Sequence, residues 1–220
     1  MSARSRSTSM HSGRACEDSA CSVRRRSCDT SRSSSNRCRR QIPMKEIAFL
    51  KTMVQKVHAR SVLEIGTFDG TSALAMAECL PDDGKLITCE INAGLAALAR
   101  KRASRHPHGH KIDVRTGPAL EILPQLGGPF DLIFIDADTC NYAHYYHHAM
   151  MLLSPTGVLL MDNMQASEMV LPTPTRDVSG AVIQKLAHEL ASDTQVDAVL
   201  TPVRDGVMVV MPRPRPNQSS

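Results

Sequence analysis

Two carboxylates directly follow an apolar run in the stretch FIDADTCNYAHYY, residues 134–146. Asp136 and Asp138 stand where a buried strand has to end, because the next residues must leave the sheet. Asn141 and a segment rich in Tyr and His follow them. Two interpretations are open at this point: a loop that only turns the chain, or a site that binds a metal ion or a cofactor.

Polar residues follow other apolar runs in the same way. Glu64 and Gly66 end the run SVLEIG, Glu90 comes at the end of KLITCEI, and the pair 162–163 ends GVLLMDN. Ligands of open parallel sheets bind beyond the carboxyl ends of the strands. A purely structural role would scatter polar residues between both edges, so their clustering predicts a ligand site at this edge.

The turn EIGTFDGTS, residues 64–72, indicates the kind of ligand. Its glycines have G-x-x-x-G spacing, which does not match the G-x-G-x-x-G fingerprint of dinucleotide-binding folds. A carboxylate at Glu64 would attract an ammonium group and repel a pyrophosphate, which favours a cofactor that carries an amino acid. Glu90 is placed to accept hydrogen bonds from both hydroxyls of a ribose, although a solvated strand end would explain this residue taken alone.

Asp136, Asp162 and Asn163 are predicted to follow neighbouring strands. Two carboxylates and an amide oxygen are hard ligands that suit Mg²⁺, with water and substrate oxygens completing the octahedron. Two like charges held close together without a cation would be costly, and a metal ion would account for both. The alternative is an Asp-Asn turn that has only a structural role.

Alternating helices and strands are predicted to position these residues. Strands are predicted at 61–66, 85–91, 111–117, 130–138 and 157–163, and helices at 71–80, 93–104, 119–126, 141–152 and 178–191. A first helix precedes them, with an apolar stripe at positions 44, 47, 50, 53, 54 and 57. The last two strands, 195–203 and 206–212, leave room only for a short turn around Arg204 and must pair antiparallel. The pattern predicts an α/β fold with a doubly wound, mostly parallel sheet and an antiparallel C-terminal hairpin strand at its end.

Residues 1–40 differ in composition from the rest of the chain. They contain ten Arg, twelve Ser and three acidic residues, with almost nothing large and apolar, which predicts a disordered tail. A secretory signal is excluded by the lack of an apolar segment. An organelle transit peptide, a phosphorylatable basic tail and a wrongly assigned gene start remain alternatives. The folded domain is predicted at 41–213, and 214–220 is predicted to be a flexible C-terminus.

Charge, hydropathy and cysteine usage exclude several classes of partner. The formal net charge of +4 comes from the tail, and the remaining chain has more acidic than basic residues, so no nucleic-acid partner is predicted. No stretch approaches the roughly 20 apolar residues that span a bilayer, so no membrane partner is predicted. The seven Cys form no C-x-x-C pair, which predicts reduced thiols and a cytoplasmic location, with organelle targeting by the tail still open.

Six segments carry a resemblance to a known family: VLEIGTFDGTSALAMA, GPALEILPQL, FDLIFIDAD, NYAHYY, LLMDN and DGVMVVMPR. Between about Gln41 and Arg213 the chain resembles the cation-dependent O-methyltransferases of the caffeoyl-CoA and catechol type, particularly the small bacterial-like members. The resemblance implies a Rossmann-like class I methyltransferase fold. It also implies methyl transfer from S-adenosylmethionine to a hydroxyl of a vicinal diol on an aromatic small molecule, with Mg²⁺ chelating both oxygens. It leaves a homodimer open.

The resemblance also implies roles for individual residues. The methionine part of the cofactor would be held by four residues of the first turn: Glu64, Gly66, Thr67 and Ser72. Three others would complete the cofactor pocket: Glu90 at the ribose, Ala119 at the adenine, and Asp138. The metal ligands would be Asp136, Asp162 and Asn163, with Asp136 counted also among the catalytic and cofactor-binding residues.

One departure concerns the catalytic base. The family usually has a Lys three residues after the metal-binding Asp, where its amine takes the substrate proton, and this chain has Thr139. A Thr hydroxyl is too weak a base, but metal coordination alone lowers the pKa of a hydroxyl substantially. His144, His147 and His148 are candidate substitutes, although helical spacing is expected to turn some of them to solvent.

Two further departures concern the acceptor. Met164 and Met169 replace the aromatic residue that usually helps to wall the acceptor pocket, and the Ser/Arg tail does not match the family's N-terminal lid and dimer element. An alternative function is therefore a catalytically weak homologue that binds S-adenosylmethionine and acts as a sensor or partner subunit. An NAD-dependent oxidoreductase is disfavoured by the glycine spacing and by Glu64.

Overall fold

The structure is a computed structural model that describes residues 44–164 and 178–214. The predicted tail at 1–40 and most of the predicted C-terminal segment lie outside these residues, so the domain boundaries remain predictions. None of the helices in the described ranges is long and apolar enough to cross a membrane.

The order of helices and strands agrees with the sequence pattern. The helices are α1 (Met44–Lys56), α2 (Thr71–Ala77), α3 (Ala93–Ala103), α4 (Ala119–Ile122), α5 (Tyr142–Leu152) and α6 (Val178–Ser192). The strands are β1 (Ser61–Ile65), β2 (Lys85–Glu90), β3 (Ile112–Thr116), β4 (Phe130–Ile135), β5 (Leu153–Met161), β6 (Val196–Thr201) and β7 (Val207–Pro212). Short 3-10 turns cover Gly109–Lys111, Leu123–Gln125 and Thr139–Asn141.

The seven strands form one sheet in the order β3-β2-β1-β4-β5-β7-β6. Strands β1 to β5 are parallel, and β7 runs antiparallel to both β5 and β6. The predicted hairpin and the doubly wound α/β architecture are confirmed. The hairpin lies at the end of the sheet as predicted, with β7 between β5 and β6 and with β6 at the edge.

Helices cover the sheet on both faces, as the alternation of strand side chains requires. On one face Leu63 and Ile133 pack with residues of α5 and α6, including Tyr142 and Leu186. On the other face the core has contributions from α1 and α2, and it includes Leu50, Val54, Val62, Met76, Phe134 and Leu160. Residues two positions apart on a strand point to the same face, so Glu64, Asp136 and Asp162 lie on the same side of the sheet as Val62, Phe134 and Leu160.

Helix α1 is amphipathic, but its buried line differs from the predicted stripe. The buried residues are Glu46, Leu50 and Val54, which are four positions apart and therefore share one side of the helix. Met44, which the stripe included, is 84% exposed. The first turn of α1 thus carries a fully buried carboxylate towards the sheet.

Candidate functional site

The sheet register places the site residues in one row across the carboxyl edge. Glu64 pairs with Thr88 on β2 and with Phe134 on β4, and Phe134 pairs with Leu160 on β5. Side chains alternate along a strand, so the residues two positions further on share a face. Counted from Thr88, Glu64, Phe134 and Leu160, these residues are Glu90, Gly66, Asp136 and Asp162. They stand side by side at the ends of the neighbouring strands β2, β1, β4 and β5.

Backbone hydrogen bonds extend the ladder past the strand ends and hold this row together. The amide of Asp136 donates to the carbonyl oxygen of Ile65 at 2.9 Å, and the amide of Asp162 donates to that of Ile135 at 2.9 Å. Gly66 has φ +102°, and a Cβ there would lie 2.0 Å from the carbonyl oxygen of Asp136. Glycine is therefore required at this position by the close approach of β4, whatever the ligand.

A cavity of about 390 Å³ opens at this edge. Seven of its lining residues were named in the sequence analysis or lie next to such a residue in the chain: Gly66, Glu90, Pro118, Ala119, Asp136, Asp138 and Asn141. Apolar side chains such as Ile65, Phe68 and Leu95 provide the remaining wall. Mostly apolar walls with a few polar groups are typical of a small-molecule site.

Glu64 is fully buried beside this cavity and does not line it. Its Oε2 accepts a hydrogen bond from the Thr88 hydroxyl at 2.5 Å, and the Thr67 and Thr88 hydroxyls are 2.5 Å apart. Its Oε1 has no well-formed hydrogen bond within the described residues. Burial raises the pKa of Glu64 to about 8, opposed by hydrogen bonds from the Ser72 and Thr88 hydroxyls. A buried carboxyl whose second oxygen has no well-formed hydrogen bond is suited to receive a cationic group of a ligand.

Glu90 and Asp138 are held by hydrogen bonds that leave lone pairs for a ligand. The two oxygens of Glu90 accept from the backbone amides of Phe68 and Asn92, each at 2.8 Å. Asp138 Oδ1 accepts from the Tyr145 hydroxyl at 2.6 Å, and its Oδ2 accepts from the Asn141 side chain at 2.5 Å. Each carboxylate therefore has a fixed orientation at the wall of the cavity.

Three carboxylates converge beside the cavity: Glu46, Asp136 and Asp162. One oxygen from each lies within 4.8 Å of the others. Burial raises the pKa of Asp162 to about 6, with the charge of Asp136 as the next cause, and burial likewise raises the pKa of Asp136. Burial followed by the charge of Asp162 raises the pKa of Glu46 to about 8. Burial, with repulsion as the next cause at Glu46 and Asp162, makes ionised carboxylates costly here and favours a bound cation.

Asn163 completes the set that the sequence pattern predicted. Its side-chain nitrogen donates to Asp136 Oδ1 and to Asp162 Oδ2, each at 3.1 Å. The oxygen and nitrogen of an amide can exchange places by a flip, so the same position can present an oxygen ligand to a metal ion. Buried oxygens of Glu46 and Asp162, and the buried hydroxyl of Tyr142, have no well-formed partner in the described part of the chain. The residues present therefore fit an oxygen-binding divalent cation.

Glu46 and Arg204 were not identified from the sequence. Arg204 Nη1 lies 3.3 Å from Glu46 Oε2 and 3.3 Å from Asp162 Oδ2. The signal that could have identified Glu46 is its position four residues before Leu50, which places an acidic residue on the same side of α1 as the buried apolar residues. Arg204 gave no comparable signal, because the pattern placed it in an ordinary hairpin turn.

Thr139 begins the 3-10 turn after Asp138 and does not line the cavity. Of the three candidate histidines, His144 and His147 are exposed, and none of the three lines the cavity formed by the described residues. Cys140, which directly follows Thr139, is disulfide-bonded, so the prediction of reduced thiols is wrong at this residue. Cys79 and Cys89 are free thiols, as predicted.

The predicted acceptor wall is only partly described. Met164 is fully buried in the core on the α5 and α6 face, and its amide donates to the carbonyl oxygen of Gly206 at 2.8 Å. It does not line the cavity described above, and its expected place at the acceptor stays a prediction. Met169 lies outside the described residues.

Comparison with known proteins agrees with this geometry. A family model described as O-methyltransferase matches residues 18–213. This chain belongs to the O-methyltransferase family. The match begins before the predicted domain start at residue 41 and covers every site residue named above.

Individual relatives and solved structures support the same family. A catechol O-methyltransferase of Niastella koreensis is 36% identical over 156 residues, which cover 69% of this chain and 71% of the relative. Caffeoyl-CoA O-methyltransferase 1 of Eucalyptus globulus is 35% identical over 170 residues, covering 72% and 69%. The crystal structure of a Bacillus cereus O-methyltransferase in complex with SAH is 30% identical, with a TM-score of 0.73 and coverage of 80% and 84%. The chain is therefore an O-methyltransferase with the class I methyltransferase fold.

Proposed function

We propose that this O-methyltransferase transfers a methyl group from S-adenosylmethionine to a hydroxyl of a catechol-like aromatic small molecule, assisted by a divalent cation such as Mg²⁺. The observation that carries the proposal is the double position of Asp136, which lines the cavity and also belongs to the carboxylate cluster. A cofactor in the cavity and a metal-bound acceptor would therefore be neighbours. Methyl transfer needs this proximity, since the reacting atoms must approach to about 3–3.5 Å.

The cofactor assignment rests on the cavity and on the names of relatives. The structure of TomG from Streptomyces achromogenes, 28% identical with a TM-score of 0.72, is described in complex with SAM. In this chain Oε1 of Glu64 would accept a hydrogen bond from the ammonium group, and Glu90 would accept hydrogen bonds from the ribose hydroxyls. Ala119 would contact the adenine. Gly66, Thr67 and Ser72 would shape the methionine end. The cofactor would supply a methyl group on a positively charged sulfur.

The metal assignment rests on the carboxylate cluster. Asp136, Asp162 and Asn163 would hold the cation, and their oxygens are the hard ligands that Mg²⁺ prefers. A bound cation would orient an aromatic diol and lower the pKa of its hydroxyl. The relatives named for catechol and caffeoyl-CoA support an aromatic hydroxyl acceptor.

Removal of the acceptor proton is the part of the reaction for which the described residues offer no evident base. Thr139 is outside the cavity lining, and the described lining contains no Lys or His. Solvent would then take the proton once the hydroxyl pKa is lowered, and turnover would rise with pH. The same observation favours the second candidate, a homologue that binds S-adenosylmethionine without efficient catalysis.

One experiment separates the two candidates. The protein is incubated with methyl-labelled S-adenosylmethionine and a panel of catechols, with Mg²⁺ or with a chelator, while cofactor binding is measured by calorimetry. Mg²⁺-dependent labelling of a catechol supports the proposal. Cofactor binding without labelling of any catechol supports the binding-only homologue, and labelling that the chelator leaves unchanged refutes metal assistance.

A further inference from the structure

Arg204 makes an unusual contact for a residue in a hairpin turn. Its guanidinium lies 3.3 Å from each of two carboxylates, Glu46 and Asp162, both of which are fully buried. Its backbone is in the left-handed region, with φ +52°. Residues other than glycine rarely adopt this conformation, and they keep it where the surroundings hold them there. The turn therefore holds a cationic side chain against the carboxylate cluster.

One guanidinium does not satisfy this cluster. Three carboxylates surround the position, and Arg204 contacts one oxygen on each of two of them. The other oxygens, Glu46 Oε1 and Asp162 Oδ1, are buried without a hydrogen-bond partner in residues 44–164 and 178–214. Buried polar atoms are rarely left unpaired, so these atoms indicate room for a further positive ligand.

Arg204 also has another carboxylate within reach. Its Nε lies 3.3 Å from Asp205 Oδ2, and the side chain of Asp205 is 62% exposed. The side chain of Arg204 is 29% exposed and therefore borders solvent. It can leave the buried pair and keep an ion-pair partner at the surface, which lowers the cost of its displacement.

We propose that Arg204 is a built-in competitor of the divalent cation, and that Glu46 is an additional metal-binding residue which Arg204 neutralises until the metal enters. This inference rests on the metal assistance of the proposed function and goes beyond it by adding two residues. The guanidinium and the metal ion compete for Glu46 and Asp162. The affinity for the metal is then set by Arg204 as well as by the ligands.

The test is direct binding of Mn²⁺, followed by the paramagnetic resonance signal of the free ion. Arg204→Asn removes the charge and retains a residue that tolerates the left-handed backbone. It is expected to bind Mn²⁺ about 10- to 100-fold more tightly than the wild type, since charge-assisted contacts to two carboxylates no longer have to be broken. Arg204→Lys keeps the charge and is expected to stay close to the wild type.

Two controls make the result specific. Arg213→Asn removes the same charge from an exposed ion pair with Asp197 and is expected to leave Mn²⁺ affinity unchanged. Adding Glu46→Gln to Arg204→Asn is expected to lower the affinity by about tenfold, as a lost carboxylate ligand would. If Arg204→Asn does not fold, Arg204→Gly, which accepts the backbone angle without strain, is measured in its place.

Equal Mn²⁺ affinity in the wild type and the Arg204 variant would overturn the competition while leaving metal assistance intact. An unchanged affinity on adding Glu46→Gln would overturn the assignment of Glu46. If neither protein binds Mn²⁺ although both still bind S-adenosylmethionine, the inference and the metal-assisted function both fail. Cofactor binding in the same samples shows that the fold is preserved.

Discussion

Replacing Glu64 by Gln is expected to stabilise the cofactor-free protein at neutral pH while weakening cofactor binding. Burial raises the pKa of Glu64 to about 8 from its ordinary value of 4.5. Between these values the folded protein holds a proton that the unfolded chain releases, so this group lowers the free energy of unfolding as pH rises. Gln keeps the size of the side chain and an oxygen for the Thr88 hydroxyl, but it has no proton to lose.

The size of the effect follows from the two pKa values. One pKa unit corresponds to 1.36 kcal/mol, so holding this proton in the folded state would cost the wild type about 1 kcal/mol at pH 5, about 3 at pH 7 and about 4 at pH 8. The advantage of Glu64→Gln should therefore grow by about 3 kcal/mol from pH 5 to pH 8. This change is measurable against a total stability of about 5–15 kcal/mol for an ordinary domain.

The assay is urea unfolding of the wild type and Glu64→Gln at several pH values between 5 and 8, without cofactor. Glu90→Gln serves as the matched control, because Glu90 accepts two backbone N–H hydrogen bonds. Loss of one acceptor there is expected to destabilise by about 1 kcal/mol. In parallel calorimetry, Glu64→Gln should bind S-adenosylmethionine about 10- to 150-fold more weakly, because Gln cannot release a proton to become a charged acceptor for the ammonium group.

Two results would refute this reasoning. A stability difference between Glu64→Gln and the wild type that stays constant from pH 5 to pH 8 would show that the buried carboxyl does not titrate as described. Unchanged affinity for S-adenosylmethionine would show that Glu64 does not receive the ammonium group.

Three further predictions concern the turn, the catalytic base and the cavity wall. Gly66→Ala should destabilise by about 2–4 kcal/mol in urea unfolding, because its Cβ would meet the Asp136 carbonyl at 2.0 Å; near-wild-type stability would contradict this. Thr139→Lys should raise the Mg²⁺-dependent rate near neutral pH by about 10²–10⁴-fold if the amine reaches the acceptor hydroxyl, and a flat rate would show that it does not. Tyr145→Phe removes a donor to Asp138 and should weaken cofactor binding by about tenfold in calorimetry, with Tyr146→Phe as the control.

Much of the site could be predicted because its residues follow strands. Apolar runs fix where a parallel strand ends, and the ends of neighbouring strands meet at one edge. Asp136 and Asp162 are close in the structure for this reason. The prediction did not depend on knowing side-chain positions, only on strand type and order.

Glu46 and Arg204 could not be placed in the same way. Glu46 reaches the cluster from α1, and Arg204 reaches it from the turn between β6 and β7, so both contacts join distant parts of the chain. The position of α1 over the sheet is decided by packing of Leu50 and Val54, which hydrophobic spacing does not specify. Met44 shows the same limit, since its place in the predicted stripe did not make it buried.

The sequence by itself determined the kind and order of the helices and strands, and the edge at which the acidic residues gather. These properties depend on local periodicity and on chain direction, both of which can be read along the chain. Only the tertiary structure decided that β7 lies between β5 and β6, and that the turn after β6 therefore brings Arg204 to Asp162. Strand order and the burial of Glu46 depend on how all the layers pack together, and that balance is not encoded in any single segment.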